Sequence, residues 1–161
     1  MPMPPPLSHK QLNRIAAAAI EAVLTGQFKL KAHPAGCDEV VQGAAGERFL
    51  NSAVELHGEN SHGRVSLKVP VPWLESLNAS LGDSSEDSAL RAGELMDLAG
   101  ELANMIAGRI AAGLAETGRN CTLSTPSVAP SPQPQRESGG EISETCWTCA
   151  GGELTLKVEI N

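Results

Sequence analysis

Glu101 and Asn104, a carboxylate and a carboxamide three residues apart, are the pair in this chain best suited to chemistry. On a helix each residue advances about 100°, so residues three apart project from neighbouring points of one face and can enter the same cleft together. They sit in the run Gly100-Glu101-Leu102-Ala103-Asn104-Met105-Ile106-Ala107-Gly108, inside a helix expected from about Asp87 to Thr117. The pair offers one negative charge and one neutral hydrogen-bonding group to a single site.

The faces of that helix can be counted. Leu95, Leu98, Leu102, Met105 and Ile106 fall on one side, the apolar stripe of a core-facing helix. Glu94, Asp97, Glu101, Asn104 and Gly108 recur at steps of three and four and form a second, outward stripe. A third row, Ala99, Ala103, Ala107 and Ala111, carries almost no bulk and reads as a surface where another backbone, here a partner's, approaches closely.

The elements that must carry this helix follow from length and local signals. With 161 residues the chain is read as one domain, residues 1–161, with a flexible proline-rich tail over 1–7. Aromatics make up 2% and tyrosine is absent, so the core must come from aliphatic residues and alanine, and a base-stacking platform is not expected. The net charge of -7, with no block of Lys or Arg, argues against nucleic acid and anionic membrane as partners. No apolar run approaches the ~18 residues of a spanning helix and no secretory signal is seen, so a cytoplasmic protein is expected. Four cysteines at uneven spacings are expected as thiols, without a structural disulfide.

Ser8 with Gln11 forms a capping box, with Leu7 and Leu12 as its hydrophobic staple, and Gly26 is expected to end this first helix. Residues 27–33 alternate and read as a strand until Pro34 and Gly36 interrupt it, and a loop then runs to about Gly46. Strands over about 48–57 and 64–69 flank a turn-rich segment and predict a hairpin closed by Pro70 and Pro72. A short helix is expected over 73–81. Beyond Gly118 the sequence predicts a strand over about 120–128, a proline-rich loop over 126–134 and two strands joined at Gly151-Gly152. Residues 8–69 and 86–161 thus share one order of elements, helix, strand, loop and hairpin, which points to a structural duplication.

With these elements in place, the chain resembles the CheC, CheX and FliY group of chemotaxis phosphatases, and CheX most closely. The resemblance is carried by Asp97, Glu101, Asn104 and Gly108, with Gly100, and by Thr125-Pro126-Ser127-Val128 beyond them. CheC proteins carry the Glu and Asn pair in both halves, whereas this chain has it once, as CheX does. The flagellar switch relative FliM shares the fold and lacks the pair, so its presence argues for catalysis. The resemblance implies a CheC-like α+β fold, a largely antiparallel six-stranded sheet covered by two long helices, in pseudo-duplicated halves. It implies removal of the phosphoryl group from the aspartate of a CheY-like response regulator. Asn104 would hold the attacking water and Glu101 would pair with the regulator's lysine. Asp97, Gly100 and Gly108 would contact the partner, with the alanine row helping it to pack near the helix. No cofactor of this chain's own is expected, because the Mg2+ belongs to the regulator, and the family precedent is a homodimer. The alternative is a non-catalytic adaptor that binds a response regulator or a flagellar switch component through the same helix. The proline-rich segment and the polar 133–143 stretch depart from the family pattern.

Other reactive residues read as structural. In Cys146-Trp147-Thr148-Cys149 a strand turns cysteines three apart to opposite faces, and zinc would need a second pair such as His33 and Cys37 alongside. His57 and His62 flank a turn and read as exposed turn residues. No phosphate-binding glycine loop and no Ser, His and Asp arrangement appears.

Overall fold

At the start of helix α1 (His9–Glu21), Ser8 N donates to Gln11 Oε1 at 2.9 Å and Gln11 N to Ser8 Oγ at 3.2 Å, closing the expected capping box. Leu7 and Leu12 are both buried in the core. The computed structural model that shows this describes residues 2–35, 48–82, 86–130 and 140–161. Helix α1 runs on through a wider π-helical turn (Ala22–Gln27) into strand β1 (Ala32–Ala35). Hairpin β2 (Phe49–His57) and β3 (His62–Pro70) leads into α2 (Val71–Ser80) and then α3 (Ser88–Glu116). Strands β4 (Thr122–Leu123) and β5 (Ser127–Pro130) precede the closing hairpin of β6 (Glu141–Cys149) and β7 (Gly152–Ile160).

The sheet runs β1-β6-β7-β3-β2-β4, with β5 also on β2, and every pairing is antiparallel. The α+β architecture is as expected. Among the described residues the sheet is six strands wide but has seven strands, because β4 and β5 share the place beside β2. The two halves are interlocked: β1 of the first half pairs β6 of the second, β4 and β5 pair β2, and β3 and β7 meet at the centre. The helices cross over in the same way, α1 lying on β6 and α3 on β2. Buried serines fix both contacts, Ser143 Oγ meeting Asn13 Oδ1 on α1 and Ser52 Oγ donating to the carbonyl of Ala99 on α3 at 2.9 Å.

Several expectations are corrected. Residues 27–31 are no strand: Gln27 ends the π turn and Lys29 has φ 58°. Their alternation arises because Phe28, Leu30 and Ala32 each reach the core from the helix exit. Pro34 lies inside β1, which pairs only β6 among the described residues, and such an edge strand can do without one N–H. The expected 120–128 strand is broken. Leu56 faces Leu123 and Ala53 faces Ser127, so residues 124–126 oppose only Val54 and Glu55, a β-bulge. Ser124 holds the bulge, its N donating to Glu55 O and its Oγ accepting from Glu55 N, both at 2.9 Å. Residues 127–130, of which 129–130 are expected only as loop, form β5, and 141–143 belong to β6, whereas 36–47 and 131–139 lie outside the described residues. The last hairpin turns on Ala150 and Gly151, at φ 46° and 79°, rather than on Gly151-Gly152. Gly152 serves another purpose: a Cβ there would lie 2.7 Å from Trp73 Cδ1, and the Trp73 indole donates to Cys149 O at 3.0 Å.

The alanine row is also corrected. Ala99, Ala103 and Ala107 are fully buried where α3 packs on its own chain, with Ser52 of β2 bonded to the carbonyl of Ala99, and so are not offered to a partner. Ala103→Leu should therefore lower stability by about 1–3 kcal/mol through overpacking. Urea unfolding reads this, and an unchanged midpoint would place the row on the surface.

Candidate functional site

Helix α3 is 29 residues long, begun by Asp87, whose Oδ1 accepts from Ala89 N at 2.9 Å and Leu90 N at 3.3 Å. Leu95, Leu98, Leu102 and Ile106 are buried beneath it and Met105 is half-buried. Rolling the helix would expose this stripe. Asp97, Glu101 and Asn104 are consequently held on the outward face, and all three are exposed. None of the three is bonded to another described residue, so their hydrogen-bonding capacity faces outward unspent.

Gly100 and Gly108 are placed differently. Gly100 is buried, and a Cβ there would lie 3.3 Å from Val128 Cγ2 and 3.5 Å from Pro126 Cβ. Its close contact is with the bulged β4–β5 segment of its own chain. Gly108 is half-buried, with Leu123 Cδ1 at 4.0 Å from the same construction. The bulge thus forms a wall along one flank of the Glu101 and Asn104 pair. Only the proline in Thr125-Pro126 signalled this break. A second feature had no local signal: buried Asn78 on α2 donates to Glu94 Oε2 at 3.1 Å, bracing the N-terminal half of α3.

The other candidates remain apart from this face. Cys146 and Cys149 are buried on opposite sides of β6, Cys146 beside Thr155 at 3.9 Å and Cys149 in the core. Burial pushes the Cys149 thiol up, partly offset by its bond with Trp73, and pushes Cys121 up against the opposing pull of Arg119. His33 faces Thr148 across β1 and β6, and Cys37 lies outside the described residues. Among the described residues no three His, Cys, Asp or Glu side chains are grouped to hold a metal ion. His57 and His62 are exposed, with ring centroids 6.2 Å apart. No helix among the described residues is long and apolar enough to cross a membrane.

An antiparallel sheet with interlocked halves, covered by one long helix, is a fold shared with solved chemotaxis proteins. CheX from Vibrio vulnificus has a TM-score of 0.76 at 17% identity, over 96% of this chain and 99% of that one. A putative chemotaxis protein from Desulfovibrio vulgaris Hildenborough gives 0.72 at 20% identity, over 94% and 97%. The CheX-CheY-BeF3-Mg2+ complex from Borrelia burgdorferi gives 0.69 at 14% identity, over 96% and 98%. Identities this low establish the fold alone. No curated protein matches the chain in sequence. The model of the family described as chemotaxis phosphatase CheX matches residues 50–143, more than half of the chain and inclusive of all of α3. The chain belongs to the CheX family.

Because Glu101 and Asn104 serve no internal contact among the described residues, Glu101→Ala and Asn104→Ala should each change stability by less than about 0.5 kcal/mol. Thermal melting of both variants checks this. A loss of several degrees would mean the pair is structural.

Proposed function

We propose that this chain is a phosphatase for the aspartyl phosphate of a CheY-like response regulator, working through Glu101 and Asn104. The observation that carries the proposal is that both side chains are exposed and unbonded within the described residues, on a helix whose other face is locked to the sheet. An acyl phosphate is already activated, and its hydrolysis lacks a water held in line with phosphorus. The Asn104 carboxamide can orient that water without competing as a nucleophile, which makes the step a matter of position. The water oxygen bonds to phosphorus as the bond from phosphorus to the aspartate oxygen breaks, returning a carboxylate and inorganic phosphate. Glu101, on the same face, would pair with the lysine of the regulator's site and so fix the helix in the cleft. Asp97 and Gly108 border the same contact. The magnesium ion expected from the family resides in the regulator, where it offsets charge on the phosphoryl oxygens.

A cytoplasmic setting and a homodimer belong to the same proposal, and light scattering on the purified chain reads the second. The test of function is the decay of a magnesium-loaded, phosphorylated CheY-like receiver from the same organism. Wild type should accelerate decay, and Asn104→Ala should remove nearly all of the acceleration while still binding. Glu101→Ala should weaken binding and turnover together. Binding without any shortening of the phosphoryl lifetime would replace the enzyme by an adaptor acting through the same helix.

A further inference from the structure

Six large apolar side chains are substantially exposed among the described residues: Met3, Leu81, Leu90, Met96, Leu123 and Ile142. Single exposed apolar residues are ordinary on a protein surface. Two of these are set apart by their place relative to the Glu101 and Asn104 pair. Leu90, Asp97 and Asn104 follow one another at intervals of seven residues, close to two helical turns, and so stand on one line along the outer face of α3. Leu90 is 62% exposed at the start of that line. Leu123 lies at its other end, beside Gly108 and one turn beyond Asn104, and is 36% exposed although it belongs to a strand. The face therefore reads apolar, acidic, amide, apolar. From Leu90 to Gly108 the helix rises about 27 Å. That is close to the width of a patch of ~800 Å², the share of one partner in an interface of standard size.

We infer that Leu90 and Leu123 are the apolar anchors that seat the receiver domain on α3, one on each side of the reacting groups. The inference rests on the phosphatase reading and specifies its substrate as a protein-borne acyl phosphate. Exposed polar contacts contribute little net binding in water, so Glu101 and Asn104 by themselves hold a partner weakly. Apolar contacts that lose their water on docking add affinity that exposed polar pairs do not, and two of them far apart also fix the angle of the helix in the cleft. Angle is what water positioning requires. Charge on the line agrees with one kind of occupant. Glu94, Asp97 and Glu101 are the charged residues of this stripe between the anchors and all are acidic, so the mating surface offers a cation beside the reacting group and apolar contacts on both sides. A free small acyl phosphate spans no more than one turn of the helix, and neither anchor would touch it.

The experiment is steady-state decay of the phosphorylated, magnesium-loaded receiver at varied receiver concentration, with Leu90→Ser, Leu123→Ser and Ile142→Ser. Ile142 is exposed to the same degree as Leu123 but lies on β6, away from α3, and serves as the control. Each anchor variant should raise KM about ten-fold, with kcat within about two-fold of wild type. Ile142→Ser should leave both unchanged, and neither anchor variant should alter any residual hydrolysis of acetyl phosphate. Wild-type KM in the Leu90→Ser protein, which keeps its fold because the side chain is exposed, overturns the inference. So does an equal rise in the control. If wild type binds the receiver without shortening its phosphoryl lifetime, the phosphatase reading fails by itself, and the anchors are then judged on the receiver's Kd, which should still weaken about ten-fold in Leu90→Ser.

Discussion

The close seating of α3 on β2 governs the rest of the molecule. Ala99, Ala103 and Ala107 bring no side-chain bulk to the contact, and Ser52 Oγ ties the strand to the helix backbone at Ala99. Small residues let helix and sheet approach, and the larger Leu95, Leu98, Leu102 and Ile106 fill the space beside them. Rotation of the helix would break both sets of contacts at once, because a packed interior does not deform smoothly. The outward direction of Glu101 and Asn104 is thus set by what lies on the opposite side of their helix. At 29 residues α3 spans about 43 Å, while the nine residues of β2 span about 30 Å. Its N-terminal part needs support from elsewhere, which α2 gives through Asn78 and Glu94.

Within the interlocked halves the two helices spend their carboxamides differently. In both halves a helix lies over the other half's hairpin. On α1 the carboxamide of Asn13 is taken up by Ser143 and serves the packing. On α3 the serine of the matching contact reaches a backbone carbonyl, and the carboxamide of Asn104 remains unbonded among the described residues. The bulge between β4 and β5 adds a second asymmetry. An extra residue there bends the chain toward Gly100, where the absence of a Cβ lets Pro126 and Val128 come in beside the pair. Bulges commonly re-aim a strand next to a site, and this one gives the helix face a wall on one flank.

The opposite face of the sheet shows the other use of strand alternation. Glu159, Arg64 and Glu55 fall in one cross-strand row, with Arg64 Nε 3.6 Å from Glu55 and Lys157 Nζ 3.3 Å from Glu159. Lys68 stands 4.3 Å over the Phe49 ring. The core then lies on the helix side, where β2, β3 and β7 contribute their buried alternate residues together with Trp147 and Cys149 of β6.

By itself the sequence determined the limits of α3, both hairpins, the order of elements in each half, the outward stripe and the family pattern of Asp97, Glu101, Asn104 and Gly108. These are local properties: a helix start near Asp87, a 3.6-residue period, turn residues between alternating runs. Tertiary structure decided which chain covers each face. A row of alanines suits close approach by any backbone, and only the fold assigned that place to β2. Gly100 was legible as a point of close contact, but its neighbour is the chain's own bulge, 26 to 28 residues further on. Alternation over residues 27–33 marked side chains that reach the core, which a helix exit achieves as well as a strand, and Pro34 was acceptable in β1 because that strand lies at an edge. Periodicity reports which residues share an environment. What supplies that environment is a long-range pairing, settled only when the whole chain has packed.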